Sequence, residues 1–447
     1  MPPPSSAPRT TAPVTFAQAL RYWFKLGWIS FGGPAGQIAL MHAELVERRR
    51  WISERRFLHA LNYCMLLPGP EAQQLATYLG WLMHRTAGGL AAGVFFVLPG
   101  VLVLVTLSWV YCAWGHLPWV AALFYGIKPA VTAIVAQAAQ RIGARTLHNA
   151  ALWAVALGAF VCIFFLHLPF PLIVIGAGAL GVLGGRLAPR RFQTRAADTA
   201  ETPSAPALFD DDTVVAHALV RPARLLRTLL IGLGLWAAPM ALLAWGLGPQ
   251  HLLTQMGWFF SKMALVTFGG AYAALPYVYQ NAVAHHGWLT AGQMIDGLGL
   301  GETTPGPLIL VTTFVGFVGG YTHAVLGAHA PLAAGIAAAA VVTWFTFLPS
   351  FVFVFAGAPF IEATHGEQRF IAPLTAITAA VVGVILNLAL FFAWHVFWPA
   401  GLHAAPDWRA LTIALGAALA LMRWRRGVIE VVAASALAGW LLSGFAA

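Results

Sequence analysis

The sequence predicts an all-α polytopic membrane protein built from two inverted-topology repeats with broken or re-entrant helices. Three observations carry this prediction. Of the 447 residues, 60% are hydrophobic and 9% are charged, whereas a soluble protein carries roughly a quarter charged residues. Apolar stretches long enough to cross a hydrocarbon core of about 30 Å recur from residue 24 to the C-terminus. A set of rare motifs also occurs twice in the same order.

The two repeats are predicted from motifs that recur at a fixed distance of 237 positions. Several rare residues in one ungapped register indicate a duplication, because a single tripeptide would match by chance. Four elements share this offset, namely Lys25 with Lys262, Phe31-Gly32-Gly33 with Phe268-Gly269-Gly270, Trp51 with Trp288, and Pro68-Gly69-Pro70 with Pro305-Gly306-Pro307.

Composition divides the chain into five segments. Residues 1–17 are rich in Pro, Ser and Thr and lack the apolar core of a signal peptide, which predicts a disordered tail. The first repeat is expected at 18–186 and the second at 248–447. The polar, arginine-rich stretch 187–225 predicts a cytoplasmic linker, and the unpaired apolar segment 226–247 predicts one extra transmembrane helix.

The arginines predict how the segments cross the membrane. Residues 24–46 and 57–83 are each expected to enter and leave on one side as a broken hairpin, because Gly and Pro motifs interrupt them. The arginine-rich loop 48–56 and the linker are then both cytoplasmic. The matching loop 281–293 has no Lys or Arg, so the second repeat is expected to be inverted. Ordinary crossings complete the first repeat near 88–113, 119–140, 150–166 and 169–185.

The Gly- and Pro-rich breaks are the predicted substrate site. An irregular backbone in the middle of a membrane is tolerated only where it is buried in protein or lines a cavity. The half-helix that follows a break begins with unpaired N–H groups and a partial positive charge, which suits an anion. Broken helices in inverted repeats are a recurring plan of secondary transporters. The alternative, that these motifs serve only packing or kinking, is disfavoured because both breaks occur in both copies.

The candidate substrate-binding residues are the motif residues and three lysines. An ammonium inside the membrane is costly unless it meets a counter-charge or water, which favours a function for each lysine. Lys25 and Lys128 have an alternative role as anchors at the membrane interface. The full set is Lys25, Gly32, Gly33, Pro68, Gly69, Pro70, Lys128, Lys262, Gly269, Gly270, Pro305, Gly306 and Pro307.

Two acidic residues flank the Pro-Gly-Pro motifs and are candidates for carrying a coupled proton. Glu71 follows the first motif directly, and Glu302 precedes the second. Glu71 has an alternative role as a cap of the half-helix that it begins. The sequence predicts no metal site and no cofactor, because its histidines and cysteines lack ligand spacing. The net charge of +10 lies mostly in clusters beside apolar segments, so nucleic acid is not a predicted partner.

With these motifs the chain resembles the CHR family of chromate ion transporters, of the long two-domain type. The resemblance covers nearly all of residues 18–446 and is specific only when the motifs are taken together. It implies a bacterial-type inner-membrane protein that exports chromate, driven by the proton-motive force, with sulfate as the structural analogue. Chromate with its analogue sulfate, protons and the lipid bilayer are therefore the expected partners, and a homodimer is left open.

The chain departs from a symmetric family pattern at three places. Ala271 stands where proline follows the first Gly-Gly, no basic residue in the second half matches Lys128, and the loop around Trp288 lacks arginines. The two halves are therefore not expected to contribute equally to the site.

Three alternative functions remain open from the residues. A sulfate or other oxyanion carrier fits equally well, because helix N-termini and lysines recognise charge and shape rather than the central atom. A membrane enzyme or flippase requires a constellation of His and carboxylates, a metal motif or a nucleophile, none of which the sequence suggests. An ion channel is disfavoured because two broken inverted repeats favour alternating access.

Overall fold

The computed structural model describes residues 14–192, 207–210, 221–363, 371–401 and 403–444. Within these residues the chain is helical, and the single strand-like feature is a β-bridge between Ile52 and Phe209. The predicted all-α fold is confirmed. Most of the predicted tail and linker lies outside the described residues, and the boundaries of the repeats stay predictions.

The first half contains eight helices, several of which begin at side-chain caps. Thr15 forms a capping box with Gln18 at the start of the first helix, and Ser53 and Asn149 cap two later ones. A π-helical turn at Ala43–Arg48 follows the second helix. The helices are α1 (Phe16–Ile29), α2 (Gly33–His42), α3 (Glu54–Leu66), α4 (Glu71–Trp114), α5 (Pro118–Thr146), α6 (Ala150–Phe164), α7 (Phe170–Leu187) and α8 (Pro189–Phe192).

The second half follows one intervening helix, α9 (Pro222–Gly246). It too has a π-helical turn, at Gln280–His285, and a short 3₁₀ turn at Leu308–Leu310 leads into its fourth helix. Its helices are α10 (Leu252–Val266), α11 (Ala271–Tyr279), α12 (Ala291–Glu302), α13 (Val311–Thr322), α14 (Pro331–Ala363), α15 (Ile371–Phe397), α16 (Trp408–Met422) and α17 (Val428–Gly444).

The helices make this a multi-pass membrane protein. Six stretches of the described residues are long and apolar enough to cross a bilayer, and four shorter apolar helices accompany them. Large apolar side chains lie exposed on the outer helices, such as Trp153 and Leu157 on α6 and Trp245 on α9. Such surfaces are stable in lipid and costly in water. The long spans are Glu71–Trp114, Pro118–Thr146, Phe170–Leu187, Pro222–Gly246, Pro331–Glu362 and Ala372–Phe397.

Helix α4 joins two predicted segments, the second arm of the hairpin 57–83 and the crossing 88–113. Its backbone leaves helical geometry at His84 and Arg85. The chain folds back there, because Gly80, before the kink, packs directly on Gly88, after it. The expected boundary is therefore present as a sharp kink inside one assigned helix.

The two halves pack together through their longest helices. Helix α5 of the first half contacts α15, α16 and α17 of the second, and α15 contacts α5, α6 and α7 of the first. Each half therefore has one central helix that packs against three helices of the other half. Helices α4 and α14 form a further contact between the halves. Small residues permit the approach: a Cβ on Gly126 of α5 would collide with the Ser435 carbonyl group and would lie 2.9 Å from the Gly439 Cα of α17.

We predict that Gly126→Val loosens the packing of α5 on α17. The added side chain collides with the backbone of α17, and overpacking of this kind costs about 1–3 kcal/mol. Gly158→Val is the matched control, because a Cβ on Gly158 of α6 meets open space. Thermal unfolding of the detergent-solubilised protein should show a lower midpoint for Gly126→Val than for Gly158→Val. Equal midpoints would contradict the close contact.

Candidate functional site

All four Gly- and Pro-rich motifs interrupt helices. We name the interruptions the first break (30–32), second break (67–70), third break (267–270) and fourth break (303–307), after their order in the chain. The motif glycines have left-handed backbone conformations, which residues with a Cβ rarely adopt. Their φ angles are 87° at Gly32, 72° at Gly33, 123° at Gly69, 84° at Gly269, 88° at Gly270 and 97° at Gly306.

The breaks meet in pairs, with one partner from each half. The Gly69 N–H in the second break donates a hydrogen bond of 2.8 Å to the Thr267 carbonyl oxygen in the third. The Gly306 N–H in the fourth break donates a bond of 2.8 Å to the Ser30 carbonyl oxygen in the first. The two bonds join residues at matching positions of the predicted repeats, since both donors and both acceptors are 237 positions apart. Each broken segment therefore satisfies one of its backbone groups through the other half.

A buried glutamine strengthens the pairing of the first and fourth breaks. Gln37 on α2 is fully buried, and its Nε2 donates to the Gly306 carbonyl oxygen at 2.6 Å and to the Ser30 carbonyl oxygen at 3.2 Å. At the second break, the side chain of Gln74 plays a related part, because its Nε2 donates to the Pro68 carbonyl oxygen at 2.8 Å. The breaks are therefore held by side chains as well as by backbone.

The two pairs of breaks are connected through acidic residues. The Tyr272 hydroxyl on α11 donates to Oε1 of Glu302, at the end of α12, at 2.5 Å. A Cβ built on Gly270 would lie 3.7 Å from Oε1 of Glu71, at the start of α4. Both carboxylates thus lie beside the start of α11. The breaks and the two predicted proton carriers form one continuous region at the interface of the halves.

The helical segments that follow the breaks begin without side-chain caps. No side chain accepts a hydrogen bond from the first turn at Gly33 of α2, at Glu71 of α4, at Ala271 of α11 or at Leu308 of the turn before α13. Helices α1, α3, α6, α10, α12 and α16 each have a capping side chain, whereas α5, α7 and α9 also begin without one, so a missing cap indicates a candidate site only where it coincides with a break. Uncapped N–H groups and the partial positive charge of a helix start are available to an anion.

Lys25 and Lys262 lie on exposed faces of α1 and α10 rather than among the paired breaks. Lys25 follows Phe24, which is itself exposed, and the Lys262 Nζ lies 6.0 Å from the ring centroid of Trp258. Neither lysine has an ion-pair partner in the described part of the chain. Their predicted contact with substrate stays a prediction, and the paired breaks alone form the site described above.

The charged partner of Lys128 was not singled out from the sequence. The Lys128 Nζ on α5 lies 3.5 Å from Oδ2 of Asp296, a buried residue of α12. A signal for Asp296 was present, since it is an isolated acid in an apolar, glycine-rich segment, but no motif marks it.

Comparison with known proteins gives a consistent result. The chain matches the family described as chromate transporter over residues 17–182 and 254–440, so one match falls in each half. It is 33% identical to a chromate transport protein of Pseudomonas aeruginosa, over 96% of this chain and 93% of that protein. A chromate transport protein of Cupriavidus metallidurans is 29% identical, over 86% of this chain and 84% of that protein. No solved structure matches the chain.

We predict that Gln37→Leu weakens the pairing of the first and fourth breaks. The substitution keeps the side chain at a similar size but replaces the polar amide with an apolar group, and so removes the donor to the Gly306 and Ser30 carbonyl groups. Loss of a buried donor costs about 1–3 kcal/mol, so amide exchange at Gly306 should accelerate about tenfold or more.

Hydrogen–deuterium exchange of peptides covering 30–33 and 303–307 is the measurement. Gln255→Leu is the control, because the Gln255 side chain bonds only to the neighbouring Gln250 in an exposed segment. Exchange that is unchanged by Gln37→Leu would show that the backbone bonds alone hold the pair.

Proposed function

The chain belongs to the chromate transporter family, and from this premise we propose that it is a secondary transporter that exports chromate across the cytoplasmic membrane. The oxyanion binds at the paired breaks, between the two halves. The observation that carries this proposal is the set of uncapped helix starts that converge at a contact between halves. The proposed transporter lies in the bacterial inner membrane.

The chemistry of chromate suits such a site. Chromate is a tetrahedral dianion whose oxygens only accept hydrogen bonds, so it needs several donors from different directions. Each helix start supplies unpaired N–H groups and roughly half a positive charge. Two starts facing one anion therefore offset about one unit of its charge without a lysine beside it. The positive φ of the motif glycines leaves the backbone open to close approach by a ligand.

The same argument makes sulfate the alternative substrate. Sulfate has the charge and the tetrahedral shape of chromate, and backbone N–H groups do not distinguish the central atom. A sulfate or general oxyanion carrier is therefore the second candidate function, and competition between the two ions separates it from the first.

Alternating access follows from the way in which the breaks are paired. Each pair contains one break from each half, so a relative movement of the halves changes both pairs together. On the orientation that the arginines favour, loop 48–56 faces the cytoplasm and loop 281–293 faces the opposite side. The two halves would then expose the site to each side in turn, as inverted repeats do in other secondary transporters.

The membrane potential itself drives export of a dianion. A charge that crosses the membrane changes its free energy by about 2.3 kcal/mol per 100 mV, so two negative charges leaving a negative interior release about 4.6 kcal/mol per 100 mV. Proton entry adds the pH gradient to this driving force if a carboxylate carries a proton on the return step. Glu71 and Glu302 are the proposed carriers, because both lie beside the start of α11.

We predict that everted membrane vesicles containing this protein accumulate labelled chromate when they are energised. Energised everted vesicles are positive inside, which attracts the dianion through the transporter. Collapse of the potential should abolish most of the uptake, and unlabelled sulfate should compete if the site recognises only charge and shape. Vesicles that contain folded protein and accumulate sulfate but no chromate would favour the alternative substrate. Vesicles that accumulate neither ion would refute the proposal.

We also predict that Glu302→Gln and Glu71→Gln uncouple transport from the pH gradient. The amide keeps the size of the side chain but cannot carry a proton across the membrane, so uptake driven by the potential should persist. The measurement is chromate uptake with the pH gradient and the potential imposed separately. Glu430→Gln is the control, because the exposed Glu430 pairs only with Arg426 at 3.9 Å. A full response to the pH gradient in both variants would remove these residues from the coupling step.

A further inference from the structure

We propose that Lys128 and Asp296 form a second oxyanion subsite, at which the Asp296 carboxylate occupies Lys128 until the anion displaces it. The subsite rests on the proposed function, because it lies on the route of the transported oxyanion. It is separate from the paired breaks and brings together one residue of each half, Lys128 from α5 and Asp296 from α12.

The ion pair leaves both of its members incompletely satisfied. The Lys128 Nζ lies 3.5 Å from Oδ2 of Asp296, and the side chain of Lys128 is 34% exposed while that of Asp296 is 4% exposed. The same Oδ2 accepts a hydrogen bond of 2.9 Å from the Tyr111 hydroxyl. The other oxygen, Oδ1, is buried and has no hydrogen-bond partner among the described residues. An ammonium offers three donors, so Lys128 has capacity for a further anionic partner.

A second ion pair between the halves, Arg56 with Glu362, has the geometry of a structural contact and serves as a comparison. Arg56 and Glu362 lie 2.5 Å apart, with side chains that are only 9% and 11% exposed. Arg56 also donates to the Asp210 carbonyl oxygen at 2.8 Å, and Glu362 accepts a short hydrogen bond from the Tyr78 hydroxyl. That pair is short, buried and bonded on both sides, as a structural tie requires. The Lys128–Asp296 pair has a longer N–O distance and is more accessible, and Oδ1 of Asp296 has no hydrogen-bond partner among the described residues. Such a pair can exchange one anionic partner for another.

The surroundings of Lys128 leave room for an anion. Gly292 lies one helical turn before Asp296 on α12, and a Cβ built on Gly292 would lie 3.6 Å from the Lys128 Nζ. The absence of a side chain there keeps one flank of the ammonium open. The ten residue steps along α12 from Gly292 to Glu302 span about 15 Å. The subsite and the paired breaks are therefore distinct positions along one helix.

The arrangement gives Asp296 a defined part in transport. An oxyanion that reaches Lys128 meets the negative charge of Asp296, which weakens its binding and favours its departure. When the anion leaves, Asp296 and Lys128 pair again, so the ammonium is never left alone in the membrane. Asp296 is thus a positioning residue that keeps the subsite weak enough for release. Removal of the charge of Asp296 is therefore expected to make the subsite retain the anion.

The test is oxyanion binding and transport by the full-length Asp296→Asn variant. The amide keeps the shape of the side chain and its bond to Tyr111 but removes the competing charge, so chromate should bind about tenfold more tightly or more. The maximal rate of vesicle transport should fall, because release becomes slow. Lys128→Gln should weaken chromate binding by at least about tenfold. Glu362→Gln is the matched control, since it disturbs the other ion pair and should lower thermal stability without tightening binding.

Two further measurements keep the proposal falsifiable. Exchange of the residues, Lys128→Asp with Asp296→Lys, would restore transport if the pair only held the halves together; we expect a folded protein that does not transport. Gly292→Ala places a methyl group beside the ammonium, so it should weaken chromate binding several-fold without loss of thermal stability.

The outcomes separate this inference from the proposed function. Tighter binding by Asp296→Asn together with slower turnover supports the subsite. Unchanged or weaker chromate binding by a folded Asp296→Asn variant overturns it, as does restored transport in the exchanged pair, while wild-type transport leaves the proposed function standing. Wild-type protein that binds neither chromate nor sulfate overturns both.

Discussion

Backbone polar groups in the middle of a membrane have no water to bond to, and this constraint makes each half of the chain depend on the other. The breaks expose N–H and carbonyl groups that no helix satisfies. The bonds from Gly69 to Thr267 and from Gly306 to Ser30 supply partners across the interface. A single half would leave these groups unbonded in lipid, at a cost of several kcal/mol. The proposed substrate site therefore coincides with the contact between the halves.

Small residues decide how closely the halves can approach. The Gly126 Cα faces Gly439, and on the opposite side Gly383 of α15 packs on the backbone of α6 at Ala156. Without a hydrophobic driving force between helices in lipid, such close packing supplies much of the attraction. Polar side chains in such a tightly packed interface are candidates for function. Replacement of a buried ion pair by apolar residues is often neutral or stabilising, which favours a functional reason for charged residues such as Glu302, Lys128 and Asp296.

The sequence predicted the breaks well and the charged contacts poorly, for a physical reason. Glycine and proline determine local backbone geometry, so Pro68-Gly69-Pro70 marks a break wherever the helix packs. The partner of a charged side chain depends on tertiary structure, and Asp296 lies far in sequence from both Tyr111 and Lys128. The kink at His84 and Arg85 falls between the predicted hairpin (57–83) and the predicted crossing (88–113), although no proline marks it.

The acidic residues break the symmetry of the duplicated site. Glu71 has Leu308 at the matching position of the other half, and Glu302 has Met65. Glu71 directly follows the second break and Glu302 directly precedes the fourth, and both carboxylates lie beside the start of α11, so this negative charge lies between the two pairs of breaks. The first and fourth breaks are joined through the uncharged Gln37 instead. On the proposed function, the region around these two carboxylates is a better place for a proton than for a dianion. If the halves move as the proposed alternating access requires, occupation of the anion site changes the free energy of the proton site, which is what coupling two ions requires.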